Sequence, residues 1–428
     1  MMNKWSKWLR LGVFALLGLG VSWLVSCSRP VATSGTEIEF WTMQLQPQFT
    51  AYFEGLIEDF EAENPGVKVR WVDVPWEAME SKILTSVAAN TAPDVVNLNP
   101  KFASQLASRE AWLNLDEQLS EDDQRLYLPK IWQASTLNGK TFGLPWYLTT
   151  QVTIYNRALL EAAGIENPPQ TYEELATVAR QVKDQTGKFT LFVTLIPEDS
   201  GAVLESLVKM GVTLVDESGK AAFNSPEGVA AFEYWVNLYR EGLLPPEVLT
   251  RGHRYGIDLY QTGEAALVAT GPQFLNAIAT NAPDIAEVSG VAPEITGETG
   301  KKNVAVMNLT IPRTTRHPEE AVKFALFVTN SQNQLAFAQE AKVLPSTQEA
   351  VAEFIEVLES SSELSPQEEA VLVGAKQLQD AEVLIPAMDN LNVLQRAIYE
   401  NLQAAMLGQK TIEQALADAA QQWDQDQS

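Results

Sequence analysis

Polar and apolar residues alternate from Glu37 to Trp41 (EIEFW), the two-residue period of a half-buried strand. Phe49, Phe53, Leu56, Ile57 and Phe60 then fall at helical spacing, and Asn64-Pro65-Gly66 stops that helix. Val67–Val74 reads as a second strand, Trp76–Asn90 as a second helix, and Pro93–Leu98 as a short buried strand. This β-α-β-α-β order is the grammar of a parallel, doubly wound sheet. Ligands of such sheets sit beyond the carboxyl ends of the strands. Those ends are Trp41–Gln44, Pro75–Glu77 and Asn97–Asn99, and each offers hydrogen-bonding or aromatic groups.

A second α/β block begins after Pro145-Trp146-Tyr147. Thr171–Glu174 (TYEE) is a capping box opening a helix, and Thr190–Ile196 (TLFVTLI) reads as a strand. Ser225 and Pro226 supply an N-cap and a proline at the first helical position, ahead of a helix through Tyr239. Ala265–Ala269 and Val304–Ile311 read as further strands, and from Pro318 onward the pattern is almost entirely helical.

Ahead of the first strand the pattern changes. Lys4, Lys7 and Arg10 precede an uncharged run from Leu11 to Ser26, a charged n-region followed by an apolar h-region. The run is shorter than the ~20 apolar residues of a comfortable spanning helix. It ends in Leu24-Val25-Ser26-Cys27, which looks like a bacterial lipobox, and Cys27 is the sole cysteine of 428 residues. Residues 1–26 are therefore expected to be a lipoprotein signal peptide, with Cys27 the lipidated residue of a 27–36 tether. Ser28–Thr36 has Pro, Gly, Ser and Thr and no apolar period. Fully extended, it would reach roughly 30 Å from the lipid.

Composition narrows the function. The formal charge is −25, and losing Lys4, Lys7 and Arg10 with the leader makes it −28. That excess argues against nucleic acid, which needs a basic footprint. About 400 residues beyond the leader exceed what one hydrophobic core usually serves, so two domains are expected. With no second cysteine, stability must come from packed cores. His253 and His317 are the only histidines, and no G-x-S-x-G, H-E-x-x-H, C-x-x-C or G-x-G-x-x-G motif is present. No cofactor, no metal and no catalytic role are expected. Paired carboxylates of a glycosidase have no spacing that singles them out.

An ordered series of short motifs adds a resemblance. Phe40-Trp41, Phe60-x-x-x-Asn64-Pro65-Gly66-Val67, Pro93-Asp94-Val95, Gly143-Leu144-Pro145-Trp146-Tyr147 and Ile154-Tyr155-Asn156 are similar to the extracellular solute-binding proteins of the maltose/glycerol-phosphate class. Pro168–Leu175, Glu241-Gly242-Leu243-Leu244, Gly271-Pro272, Pro318-Glu319-Glu320-Ala321 and Gly408-x-x-Thr411 continue it, so that it spans nearly all of residues 37–420. The resemblance implies a periplasmic-binding-protein type II-like α/β fold, two doubly wound lobes with a three-segment hinge. It puts lobe 1 at 37–149 plus 308–345 and lobe 2 at 150–307 plus 346–428. The crossings are expected near Thr149–Gln151, Val304–Asn308 and Val343–Ser346.

It also implies a ligand site: Trp41 and Gln44, Trp76 and Glu77, and Asn97 and Asn99 after the first three strands, with Trp146, Tyr147 and Thr149 at the first crossing. Gln273, Phe274, Met307, Asn308, Asp389 and Asn392 would complete it from the other side. Such sites set aromatic faces against sugar C–H faces and polar groups against hydroxyls. Relatives often carry acids where Asn99 and Thr149 stand, and a Trp where Gln273 and Met307 stand. The implied cargo is therefore a disaccharide, a glycosylated polyol or another small sugar. The expected role is carbohydrate capture by lobe closure, as a monomer, and delivery to the permease of an ABC importer at the outer face of the cell membrane. Glycerol phosphate or another non-sugar solute is the alternative, and a lipoprotein glycosidase a remoter one.

Overall fold

The structure, a computed structural model, describes residues 35–426 except 198, 386, 387 and 389. Residues 1–26, expected to be a leader, Cys27 and Asp389 lie outside the described residues. The strands in chain order are β1 (Thr36–Met43), β2 (Val67–Val74), β3 (Val95–Leu98), β4 (Thr136–Leu137), β5 (Lys140–Thr141) and β6 (Leu144–Thr150). They continue as β7 (Val152–Asn156), β8 (Leu267–Thr270), β9 (Ser289–Ala292), β10 (Lys302–Thr310), β11 (Leu344–Pro345) and β12 (Ala381–Glu382).

Two separate sheets carry the architecture. The larger has the order β11-β6-β10-β3-β1-β2, with β12 joined to β10. Its β2-β1-β3 part is parallel, as the β-α-β-α-β reading requires. β10 enters antiparallel between β3 and β6. The smaller sheet is β8-β7-β9, antiparallel throughout. The mixed α/β architecture in two lobes is thus the expected type II class.

Each sheet is buried against helices by its own core. Phe40 and Phe53 on one side of the large sheet meet Trp146, Phe324 and Phe337 in a cluster of edge-on and stacked rings. A separate core joins Leu175, Phe232, Trp235, Leu402 and Trp423 from the helices of the second lobe. Their ends follow local chemistry. Asn99 accepts from Phe102 N (2.9 Å) at the start of Pro100–Ala107, and Ser225 caps Pro226–Arg240 through Gly228 N. Thr171 caps Tyr172–Thr186 through Glu174 N, while the Glu174 carboxylate reaches back to Gln170 N instead of closing the box on Thr171.

Thr190–Ile196 does not form the expected strand. Phe189 makes one bridge to Ala265, Thr190 O accepts from Leu267 N, and the chain then turns to Val248. The edge of β8 is occupied too briefly for a ladder.

The passages between sheets also differ in part from expectation. Gln151 alone separates β6 from β7, as expected for the first. The second lies at 293–301, between β9 and β10, because Val304–Asn308 are already paired with β6 in the large sheet. Leu344–Pro345 pair with β6 as well, and the next helix, Gln348–Ser360, packs on Ser331–Ala341. The helix Pro366–Gln377 then touches β6 and β11 of one sheet and β7 and β9 of the other, which makes it the third passage. Amphipathic periodicity shows that a helix is covered on one face; it does not say by which lobe. No helix among the described residues is long and apolar enough to cross a membrane.

Candidate functional site

A cavity of about 310 Å³ opens where the C-terminal ends of β2 and β6 face the start of the helix Phe274–Asn281. Trp76, Tyr147, Thr149, Gln273 and Met307, expected from sequence to face a ligand, all line it. Pro272 and Gln273 come from the small-sheet side and the others from the large sheet or its helices, so the cavity lies between the lobes.

Trp76 is 42% exposed, an unusual state for an indole in a protein with this much core. Its position is braced. Asp73 accepts from Thr42 Oγ1 (2.6 Å), Leu45 N (2.9 Å) and Gln46 N (3.0 Å), fixing the loop after β1. Gln44, held at a φ of 54°, then accepts from Trp76 N through Oε1 at 3.3 Å. Gln44 therefore ties down the backbone of residue 76 at the start of its helix.

Tyr147 and Met307 face each other across β6 and β10, where the register slips between Met307 and Asn308. Tyr147 pairs with Met307 and Pro145 with Asn308, so Trp146 is the extra residue of a β-bulge. Tyr147 is largely buried; burial raises its phenol pKa and the Asp73 carboxylate adds to the effect. It stays protonated across the physiological range and keeps an O–H that can donate and accept.

The structure does not bring the other expected residues to this cavity. Trp146 is fully buried, stacked on Phe337 at 5.0 Å, with its Nε1 lacking a partner. Its ring meets that of Tyr147 at 5.0 Å and both pack on Phe337, but Trp146 is enclosed in the core while Tyr147 stands at its edge and lines the cavity. Trp41 lies beneath the helix Trp76–Ala88, its indole donating to Glu39 and Lys82 Nζ 3.9 Å from its ring centroid. Asn97 and Asn308 are buried; Asn97 Nδ2 donates to Asn308 O (3.4 Å), and Asn308 Oδ1 accepts from Ser135 Oγ (2.6 Å). They join strands beneath the cavity. Asn99 is spent as a helix cap. Glu77 and Asn392 are exposed on first helical turns, away from the cavity lining, and Phe274 meets His253 edge-on.

Sequence reasoning missed the side contributed by the C-terminal end of the helix Ser331–Ala341 and by the third passage. Lys342, Val371 and Gly374 line the cavity. Lys342, at a φ of 54°, donates to Glu368 Oε1 at 3.0 Å. Hydrogen bonds from the Ser365 hydroxyl and amide, then Lys342, pull the Glu368 pKa down to about 2. The signal that could have found this side is Gly374, a glycine inside an otherwise helical pattern. A Cβ there would stand 2.5 Å from Thr150 Oγ1 on β6. Gly374→Ala is accordingly expected to lower stability by about 1–3 kcal/mol through overpacking, read as a reduced urea midpoint. An unchanged midpoint would mean that the helix can move off β6 without cost.

Among the described residues no cluster of three His, Cys, Asp or Glu side chains could hold a metal. What the site offers is an exposed aromatic face, a phenol, a hydroxyl and an amide converging on a small space from two lobes. That arrangement suits binding a compact polar molecule.

Solved structures share this fold. A crystal structure from Synechococcus sp. MITs9220 that carries an oligosaccharide periplasmic-binding assignment is 43% identical, covering 91% of this chain and 98% of that one, with a TM-score of 0.87. The "Probable ABC transporter-binding protein" of Deinococcus radiodurans is 27% identical over 67% of this chain and 71% of its own length. The arabinooligosaccharide-binding protein of Bacillus subtilis is 24% identical, over 69% of this chain and 70% of its own. The family model of the bacterial extracellular solute-binding proteins matches residues 46–335, and the chain belongs to that family.

Proposed function

We propose that this protein captures a small carbohydrate between its lobes and hands it to the permease of an ABC importer, while Cys27 holds it by lipid at the outer face of the cell membrane. The observation that carries the ligand class is the exposed Trp76 indole beside a 310 Å³ cavity that also presents Tyr147, Thr149 and Gln273. An aromatic face is suited to the C–H side of a sugar ring, and the three polar groups to its hydroxyls. The volume is at the small end of the roughly 300–1,000 Å³ of ligand pockets, which favours a disaccharide, a glycosylated polyol or a similar small sugar. The oligosaccharide names of the relatives from Synechococcus and Bacillus subtilis support the same class.

Glycerol phosphate or another anionic solute is disfavoured by charge. Lys342 is the one cation among the residues lining the cavity, and Glu368 already neutralises it. A ligand that touches both lobes binds the closed form better and shifts the population towards it, so the permease can distinguish loaded from empty protein. The lipobox-like run and the Pro/Gly/Ser/Thr residues between Cys27 and β1 support anchoring beside that partner.

A thermal-shift screen against sugars, polyols and their phosphates tests the ligand class. A neutral sugar at a hundred times its Kd is expected to add about 2.7 kcal/mol and raise the Tm. If phosphates or amino compounds alone raised it, the carbohydrate assignment would fall.

A further inference from the structure

We infer that Gln377 is the clasp of the inter-lobe hinge: its buried carboxamide ties the three chain passages together and sets the balance between open and closed forms. The inference rests on the proposed lobe closure. Gln377 ends the helix of the third passage and is 3% exposed. Its Nε2 donates to Gln151 O (3.3 Å), the residue that forms the first passage. Its Oε1 accepts from Glu294 N (2.8 Å), at the beginning of the second. One side chain thus engages all three.

The connection continues beyond the amide. Glu294 Oε2 accepts from Asn303 N (2.9 Å), where the second passage enters β10, and Oε1 accepts from Lys209 Nζ in the second lobe. Asn303 Oδ1 in turn accepts from Leu384 N (3.2 Å), where the chain leaves the third passage, beside the β10–β12 pairing of Lys302 with Ala381. Rotation of one lobe moves Gln151 and Glu294 relative to the helix Pro366–Gln377, because they belong to different passages. It therefore strains one arm of the amide or the other. A buried amide with its partners removed costs about 1–3 kcal/mol, so the angle at which both arms are made is a preferred one. Packing alone would set no such angle, since apolar contacts have no direction.

The test uses the full chain with Cys27→Ser and two labelling sites, Glu58→Cys on the helix Thr50–Glu63 and Glu233→Cys on Pro226–Arg240, both exposed and one on each lobe. Pulsed dipolar spectroscopy reads the inter-lobe distance without any ligand. Gln377→Met, which keeps the length and removes both arms, is expected to broaden the distance distribution at least about twofold or to shift its centre. Phe354→Leu, in the apolar core under the neighbouring helix, lowers stability without touching the clasp and should leave the distribution unchanged. A Gln377→Met distribution identical to that of the parent, with only the Tm lowered, overturns the inference. Should Gln377→Met fail to fold, Gln377→Leu, which also removes both arms, must give the same broadening. A failed sugar screen would leave this measurement intact, because it is made on the ligand-free chain.

Discussion

Replacing Lys209 by methionine is expected to destabilise the protein by about 3–5 kcal/mol, seen as a fall in the denaturation midpoint, because it strands buried carboxylates. Lys209 and Glu294 form an ion pair whose side chains are 4% and 3% exposed. Burial opposes the Lys209 charge, but Tyr172, Glu294 and Glu205 outweigh it and hold the ammonium above the usual lysine pKa. Glu205 is the weak member: burial raises its pKa to about 7, Lys209 opposes the rise, and its Oε2 lacks a hydrogen-bond partner. An acid with a raised native pKa binds more protons folded than unfolded. Its contribution to stability is therefore fully present below the unfolded value of 4.5 and is lost as pH rises through about 7. The unfolding free energy should fall between those limits, and Glu205→Gln should flatten that slope. The Lys209→Met defect should be largest at neutral pH and smaller near pH 5, where Glu205 is protonated. Lys209→Met combined with Glu294→Gln should recover part of the loss. A defect independent of pH would instead point to lost side-chain packing.

Trp76→Ala is expected to weaken the binding of whichever sugar the screen identifies by at least about 30-fold, equivalent to roughly 2 kcal/mol or more. Stability should change by no more than about 0.5 kcal/mol, because the indole is 42% exposed and the hydrogen bond from residue 76 to Gln44 is made by the backbone. Titration calorimetry and denaturant unfolding on the same preparation separate the two effects. Unfolding of the variant would show that Trp76 serves the core; unchanged affinity would remove it from the site.

The β-α-β-α-β order, the parallel pairing of β2-β1-β3 and the caps at Thr171 and Ser225 were legible in the sequence. Each depends on neighbours in the chain: a two-residue or 3.6-residue period, a proline, a side chain three positions from an amide. The exposed end of β2 was legible for the same reason, since residues just past a parallel strand face the crevice. Facing direction was harder. Trp146 and Tyr147 are adjacent and both pack on Phe337, yet Trp146 is fully enclosed while Tyr147 also reaches the cavity. Lys209 follows Glu205 by four residues, the spacing of a surface pair on a helix, yet its charge is met inside the fold by Glu294, 85 positions along.

The sequence by itself determined the class of fold, the β-α-β-α-β order that opens it and the membership of five cavity-lining residues, because those follow from local pattern and from a resemblance spread along the chain. Tertiary structure alone decided which aromatic rings are core, where the passages between lobes run and what joins them. Trp41, Trp146, Asn97 and Asn308 are the residue types a sugar site uses, but packing turned them inward. Gln377, Lys342 and Gly374 carry no motif, and they matter through partners far away in sequence: Gln151 and Glu294, and Thr150 for the glycine. Contacts of that kind depend on how helices settle against two sheets at once, which no local period encodes.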